Sequence, residues 1–205
     1  QATGAITAPG GDESLYAGGE QGTGMIQQMG HVADNVDLIR QGVFAIAHVG
    51  QDVYSGGSGA DAVSPIGAHF RHVFDHYRAF LNWLWTGALN YDVRRRDPMI
   101  ERNVVVAART ADDIIVQMEE IPDQQLPQSI QVSANSIEDG KSVVDWSGST
   151  VQRELLYLLS HTVHHYAIIR LLATQAGVEL NADFGVAPST IAHRRLHEAC
   201  APSAG

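Results

Sequence analysis

The stretch Ser149-Thr150-Val151-Gln152-Arg153-Glu154-Leu155-Leu156-Tyr157-Leu158-Leu159-Ser160-His161-Thr162-Val163-His164-His165-Tyr166, with Gly177 beyond it, decides the fold class. Ser149 followed by Gln152 makes a capping-box pattern, the signature of a helix start. Val151, Leu155, Leu158, Thr162, Ile169 and Leu172 then recur at helical spacing, so one face of this helix is buried. Gly177 is a natural stop, because glycine takes the left-handed backbone that closes a helix.

Three further segments show the same period. Val32, Val36, Ile39, Val43, Ile46 and Ala47 mark a first helix over about 29–49, ended by Gly50 and the flexible Ser55-Gly56-Gly57-Ser58-Gly59 stretch. Ile66, Phe70, Val73, Tyr77, Phe80, Leu81 and Leu84 mark a second helix, which starts at Ser64 as N-cap with Pro65 behind it and runs to about Leu89. A third runs from Pro98 to Glu120 with Val105, Ala108, Ile115 and Met118 inside, and Pro122 and Pro127 close it. Residues 128–147 break the rhythm. Ile130 and Val132 alternate with polar residues before Asp139-Gly140, Val143, Val144 and Trp146, which reads as a short β-hairpin or an ordered loop.

These segments predict an all-α protein, a four-helix bundle with one long crossover segment. Residues 1–28 form a glycine-rich N-terminal arm, 29–176 the bundle, and 177–205 a C-terminal tail packing on it. The Asp183-Phe184-Gly185 triplet in the tail lacks a kinase context and takes no phosphate role.

Composition narrows the function. Hydrophobic residues make up 44% of the 205 positions and charged residues 18%, enough apolar material for a core. A net charge of -10 repels phosphate backbones, so no nucleic-acid partner is expected. The basic run Arg94-Arg95-Arg96 reads as a solvated helix end. No apolar run approaches the ~20 residues that span a bilayer, and no signal peptide is expected. The expected partners therefore include no membrane, and the expected location is cytoplasmic. Cys200 is the single cysteine, so any metal must be held by His, Asp or Glu.

The ten histidines are unevenly distributed. His161 and His165 share one face of the fourth helix at a spacing that lets two imidazoles reach one ion. Thr162 follows His161, which excludes the His-Glu-x-x-His peptidase pattern. His69, His72 and His76 share a broad face of the second helix, and a facing helix supplying a third imidazole completes an open His₃ set. The helical wheel places His69 and His76 nearer the centre of the apolar stripe than His72. Surface or packing histidines are the plainer reading of either cluster alone, and His31, His48, His193 and His197 are read that way.

Pro65-Ile66-Gly67-Ala68-His69-Phe70-Arg71-His72-Val73 resembles the second-helix motif of the DinB-like superfamily, and Ser160-His161-Thr162-Val163-His164-His165-Tyr166 resembles its fourth-helix motif. The resemblance covers roughly residues 30–176. It extends to the N-terminal domain of the sulfoxide synthases that make thiol-histidines. It implies an up-down-down-up four-helix bundle and a divalent metal ion, zinc, nickel or iron. The implied ligands by motif position are His72, His161 and His165, with His69 as the fallback. It also implies a homodimer. The chain departs from the thiol-transferase members at Tyr166-Ala167-Ile168, where many of them carry Arg-Gly-Gln.

The resulting expectation is a metal-dependent transferase or hydrolase. It would act on a small molecule, such as a low-molecular-weight thiol, through an activated thiol or water. Glu154 and Tyr166 are the candidate base and donor, and Arg170 the candidate anchor for an anionic substrate group. The alternatives are a non-catalytic metal-binding or assembly subunit, and metal-free packing histidines that charge below about pH 6.5.

Overall fold

A computed structural model of the chain describes residues 20–56, 66–121, 128–139 and 141–200. They are mostly helical. In chain order the elements are α1 (Glu20–Val49), α2 (Gln51–Tyr54), α3 (Ile66–Thr86), β1 (Ala88–Asn90), α4 (Pro98–Arg102), α5 (Val104–Glu119), β2 (Ser129–Glu138), β3 (Lys141–Thr150), α6 (Val151–Gln175) and α7 (Pro188–Cys200). Both α1 and α3 pack against α5 and α6, so four long helices surround one core. The apolar stripes meet there. Val36, Ile39 and Ile46 come from α1, Phe70, Val73, Tyr77 and Phe80 from α3, and Leu155, Leu158 and Ile169 from α6, all essentially excluded from solvent. Each such side chain contributes roughly 1.5–3 kcal/mol.

The helix boundaries moved where a side chain competed with the helix for backbone bonds. The third predicted helix is split at Asn103, whose side chain accepts from the amides of Val105 and Val106 and starts α5 afresh. Asparagine favours this role over a helix interior. The restart turns Val105 outward, and the buried face of α5 is Ala107, Ala111, Ile114, Ile115 and Met118. The fourth helix is capped by Thr150, which accepts from the Arg153 amide, and not by Ser149. It ends as the sequence indicates: Val178 donates to the Ala173 carbonyl and Gly177, at φ 77, to that of Thr174. At the other end of the chain, α1 begins at Glu20, so 20–28 of the expected arm are helical. The expected cap Ser64 and Pro65 lie outside the described residues.

The all-α expectation is corrected by a three-stranded sheet in the order β1-β2-β3. β2 and β3 pair antiparallel, with Glu138 opposite Lys141, as a hairpin requires; Gly140 lies outside the described residues. Asp139 adopts φ 49, a left-handed backbone that short polar residues tolerate in such turns. β1 pairs parallel with β2 and carries the buried Leu89, which the sequence reading had put at the end of a helix.

The tail packs on α6, as Phe184 stacks on Tyr166 with ring centroids 4.5 Å apart. Gly185, at φ 73, lies so close to the backbone of Tyr166 and Ala167 that no Cβ fits. No helix among the described residues is long and apolar enough to cross a membrane.

Candidate metal centre

Successive turns of α3 present His69, His72 and His76, and the facing turns of α6 present His161 and His165. Helix packing closes these rows into one imidazole cluster. Ring centroids lie 4.5 Å apart for His72 and His76, 4.1 Å for His76 and His161, and 4.5 Å for His72 and His165. One ring nitrogen from each of His72, His76 and His161 lies within 4.8 Å of the others, close enough for one metal ion.

Two of the three expected ligands, His72 and His161, belong to this trio, and His76 completes it where His165 was expected. His165 turns toward His69 instead, with Nδ1 atoms 3.0 Å apart. One of those nitrogens must donate and the other accept, so the pair holds opposite tautomers. His164, on the exposed side of α6, stands edge-on to His165.

Burial keeps the cluster neutral, the form that ligates metals. Desolvation, then the neighbouring imidazoles and Arg94, push His72 and His161 down to about 3. Desolvation, His69 and His164 lead in pushing His165 down to about 4. Burial also lowers His69 and His76.

Hydrogen bonds fix two tautomers. His76 Nδ1 lies 2.8 Å from the His72 carbonyl oxygen, so it carries the proton and leaves Nε2 a lone pair. Arg94 Nη1 lies 3.0 Å from His72 Nδ1, and a guanidinium only donates, so the lone pair of His72 is on Nδ1. His161 Nε2 is buried with no partner. A buried, unpartnered imidazole nitrogen on a ring of this trio suits a metal ligand better than a packing histidine.

An aromatic wall closes one side. Tyr91 stacks on His76 at 5.4 Å and Tyr157 on His161 at 5.5 Å. Behind it lies Glu154, fully buried. Its Oε2 accepts from the Tyr91 hydroxyl at 2.8 Å, and its Oε1 accepts from Ser149 Oγ and Arg153 Nη1. Both carboxylate oxygens of the expected base are thus engaged in tying β3, Tyr91 and α6 together.

The other two expected site residues lie elsewhere. Tyr166 points to the opposite side of α6, among Phe70, Phe184 and Gly42, with its buried hydroxyl unpartnered. Adjacent helix positions diverge by about 100°, so His165 and Tyr166 cannot share one site. Arg170 Nη1 donates to the Ala182 carbonyl at 2.7 Å, which ties α6 to the segment after it.

Sequence reading passed over Arg94, Tyr91 and Tyr157. Tyr157 precedes His161 by one turn, a spacing the sequence displays. Arg94 and Tyr91 arrive on the loop after β1, which no local pattern places. The wheel position of His76 was a usable signal that the motif register outweighed.

The fold and site thus define a mostly helical protein with a half-buried histidine cluster able to hold an ion. No family model matches the chain, and no solved structure matches it. FK506-binding protein 5 of Rhizopus delemar (strain RA 99-880) is 33% identical over 105 residues, 51% of this chain. Those residues are 27% of that protein, so the chain matches about a quarter of its length.

Proposed function

We propose that the four long helices form a DinB-like up-down-down-up bundle and that the chain is a divalent-metal enzyme acting on a small molecule. The observation that carries this reading is the trio His72, His76 and His161, together with the buried, unpartnered Nε2 of His161. A zinc, nickel or iron ion held there would supply a Lewis-acid position at which a thiol or water becomes acidic near neutral pH.

The protein's own groups prepare that position. Desolvation keeps the imidazoles deprotonated, and the His72 carbonyl sets the tautomer of His76. Tyr91 and Tyr157 shield one side from water, and Glu154 holds Tyr91 in place. The imidazoles come from two packed helices and already lie close together, although the Arg94 bond to His72 would have to open for an ion to be held. A homodimer in the cytoplasm, working on a low-molecular-weight thiol, belongs to the same reading.

The test is metal content by inductively coupled plasma mass spectrometry on untagged protein. The expected result is one ion per chain, lost in His72→Ala, His76→Ala and His161→Ala. Retention in His165→Ala supports the trio, and loss there with retention in His76→Ala restores the motif ligands. No ion after incubation with zinc, nickel and iron(II) refutes the metal reading. An ion in a protein inactive towards thiol-transfer and hydrolysis substrates supports a non-catalytic role instead.

A further inference from the structure

The basic run Arg94-Arg95-Arg96 ends no helix, although Arg95 and Arg96 are exposed. It lies on the loop between β1 and α4, and Arg96 is held at φ 50, a left-handed backbone that non-glycine residues rarely adopt. Such strain persists only where surrounding structure enforces it. The loop lays Arg94 and Arg95 along a cleft of about 740 Å³ that Arg78 and Asn82 of α3 and Gln117 of α5 also line.

Three guanidinium groups therefore line one cleft of a protein whose net charge is -10. Among the described residues none of the three forms an ion pair. Arg78 has only a 3.5 Å contact to Thr110 Oγ1. Arg94 spends Nη1 on His72, and its Nε is buried without a partner. The one carboxylate in the lining, Asp75, is almost fully buried and ion-paired to Arg71, so it does not neutralise the three. Mutually repelling cations around a concavity, with no carboxylate free to neutralise them, are arranged for an anion. Guanidinium forks match the planar edges of carboxylate and phosphate groups.

We infer that this cleft binds a small organic dianion, bearing carboxylate or phosphate groups, between Arg78 on α3 and Arg94 and Arg95 on the loop. Arg94 is the shared wall between the cleft and the imidazole cluster. The Arg94 bond to His72 couples an anion in the cleft to the imidazole cluster, and on the proposed function the cleft would hold the substrate's charged group. Binding of the anion itself does not depend on a metal ion.

The test uses the full chain stripped of metal, so that it stands apart from the metal reading. Glutarate, inorganic phosphate and the uncharged diol 1,5-pentanediol are titrated. Heat is recorded by calorimetry, and the side-chain Nε–Hε signals of Arg78, Arg94 and Arg95 by NMR. The expected result is one glutarate or phosphate per chain, with those three signals shifting and the diol silent. Arg78→Gln and Arg95→Gln should each weaken binding about tenfold or more. Arg40→Gln, which breaks an exposed ion pair with Glu119, should leave it unchanged. Tighter binding of glutarate than of phosphate assigns a carboxylate ligand, and the reverse a phosphate ester. Silence towards both anions at millimolar concentration overturns the inference. So does binding that Arg40→Gln weakens as much as Arg95→Gln, which would reveal only diffuse attraction.

Discussion

Replacing Arg94 with methionine should tighten metal binding, although it deletes a side chain at the site. A neutral imidazole has one lone pair, and on His72 that pair accepts from Arg94 Nη1 at 3.0 Å. Ligation through Nδ1 displaces the guanidinium. Ligation through Nε2 moves the proton to Nδ1 and sets two donors against each other. Either way an ion must break the Arg94 bond and stand beside its positive charge. A hydrogen bond to a charged group is worth roughly 1.5–3 kcal/mol, and partial exposure of Arg94 argues for the lower end. At about 1.4 kcal/mol per decade, Arg94→Met should bind zinc about tenfold tighter. Competition with a chromophoric chelator at pH 7 measures this directly. Arg94→Lys, which keeps charge but not the fork, should fall between wild type and Arg94→Met. Equal or weaker zinc binding in Arg94→Met would refute the assignment of the His72 lone pair to Nδ1.

Tyr91→Phe removes one of the bonds to the buried Glu154 carboxylate. It should cost roughly 1.5–3 kcal/mol, or about 5 °C in Tm, with metal content unchanged. Normal stability would refute a positioning role for Glu154. Tyr166→Phe deletes a buried hydroxyl that has no partner and should be neutral or stabilising by about 1 kcal/mol in urea unfolding, without affecting any activity. Gly185→Ala adds a Cβ against the Ala167 backbone at φ 73 and should cost more than about 2 kcal/mol, with faster proteolysis of the tail; a protein as stable as wild type would refute the close packing. In metal-free protein the folded pKa values of His72 and His161, about 3, lie below the unfolded value near 6.5. The unfolded chain therefore binds more protons, and stability is full above pH 6.5 and falls as pH drops from about 6.5 towards 3. The urea midpoint should decline between pH 6.5 and 5, before most carboxylates titrate, and His72→Gln with His161→Gln should flatten that decline.

Periodicity alone located the cores of the long helices, because burial of a helical face depends on spacing within one segment. The Gly177 stop was equally legible, and the antiparallel pairing of β2 and β3 is one of the two readings that 128–147 allowed, since both rest on local backbone preference. The same local signals placed His72 and His161 on faces that could meet. The sequence could not show that Asn103 would bond to the two amides ahead of it and split a helix. Nor could it show that residues 88–90 would leave the helical stripe to pair with a strand far along the chain. That His76 and not His165 brings a ring nitrogen within 4.8 Å of His72 and His161 reflects ring placement across the interface, where His165 pairs with His69. Glu154 and Tyr166 were suggested as catalytic groups by proximity along α6. Rotation about the helix sent one behind the tyrosine wall and the other to the far side. Arg94 reached His72 only because the loop after β1 folds back across α3. Spacing along one helix is a local property that a sequence displays. Which side chains meet across an interface depends on rotation, register and loop path, which only the packed tertiary structure determines.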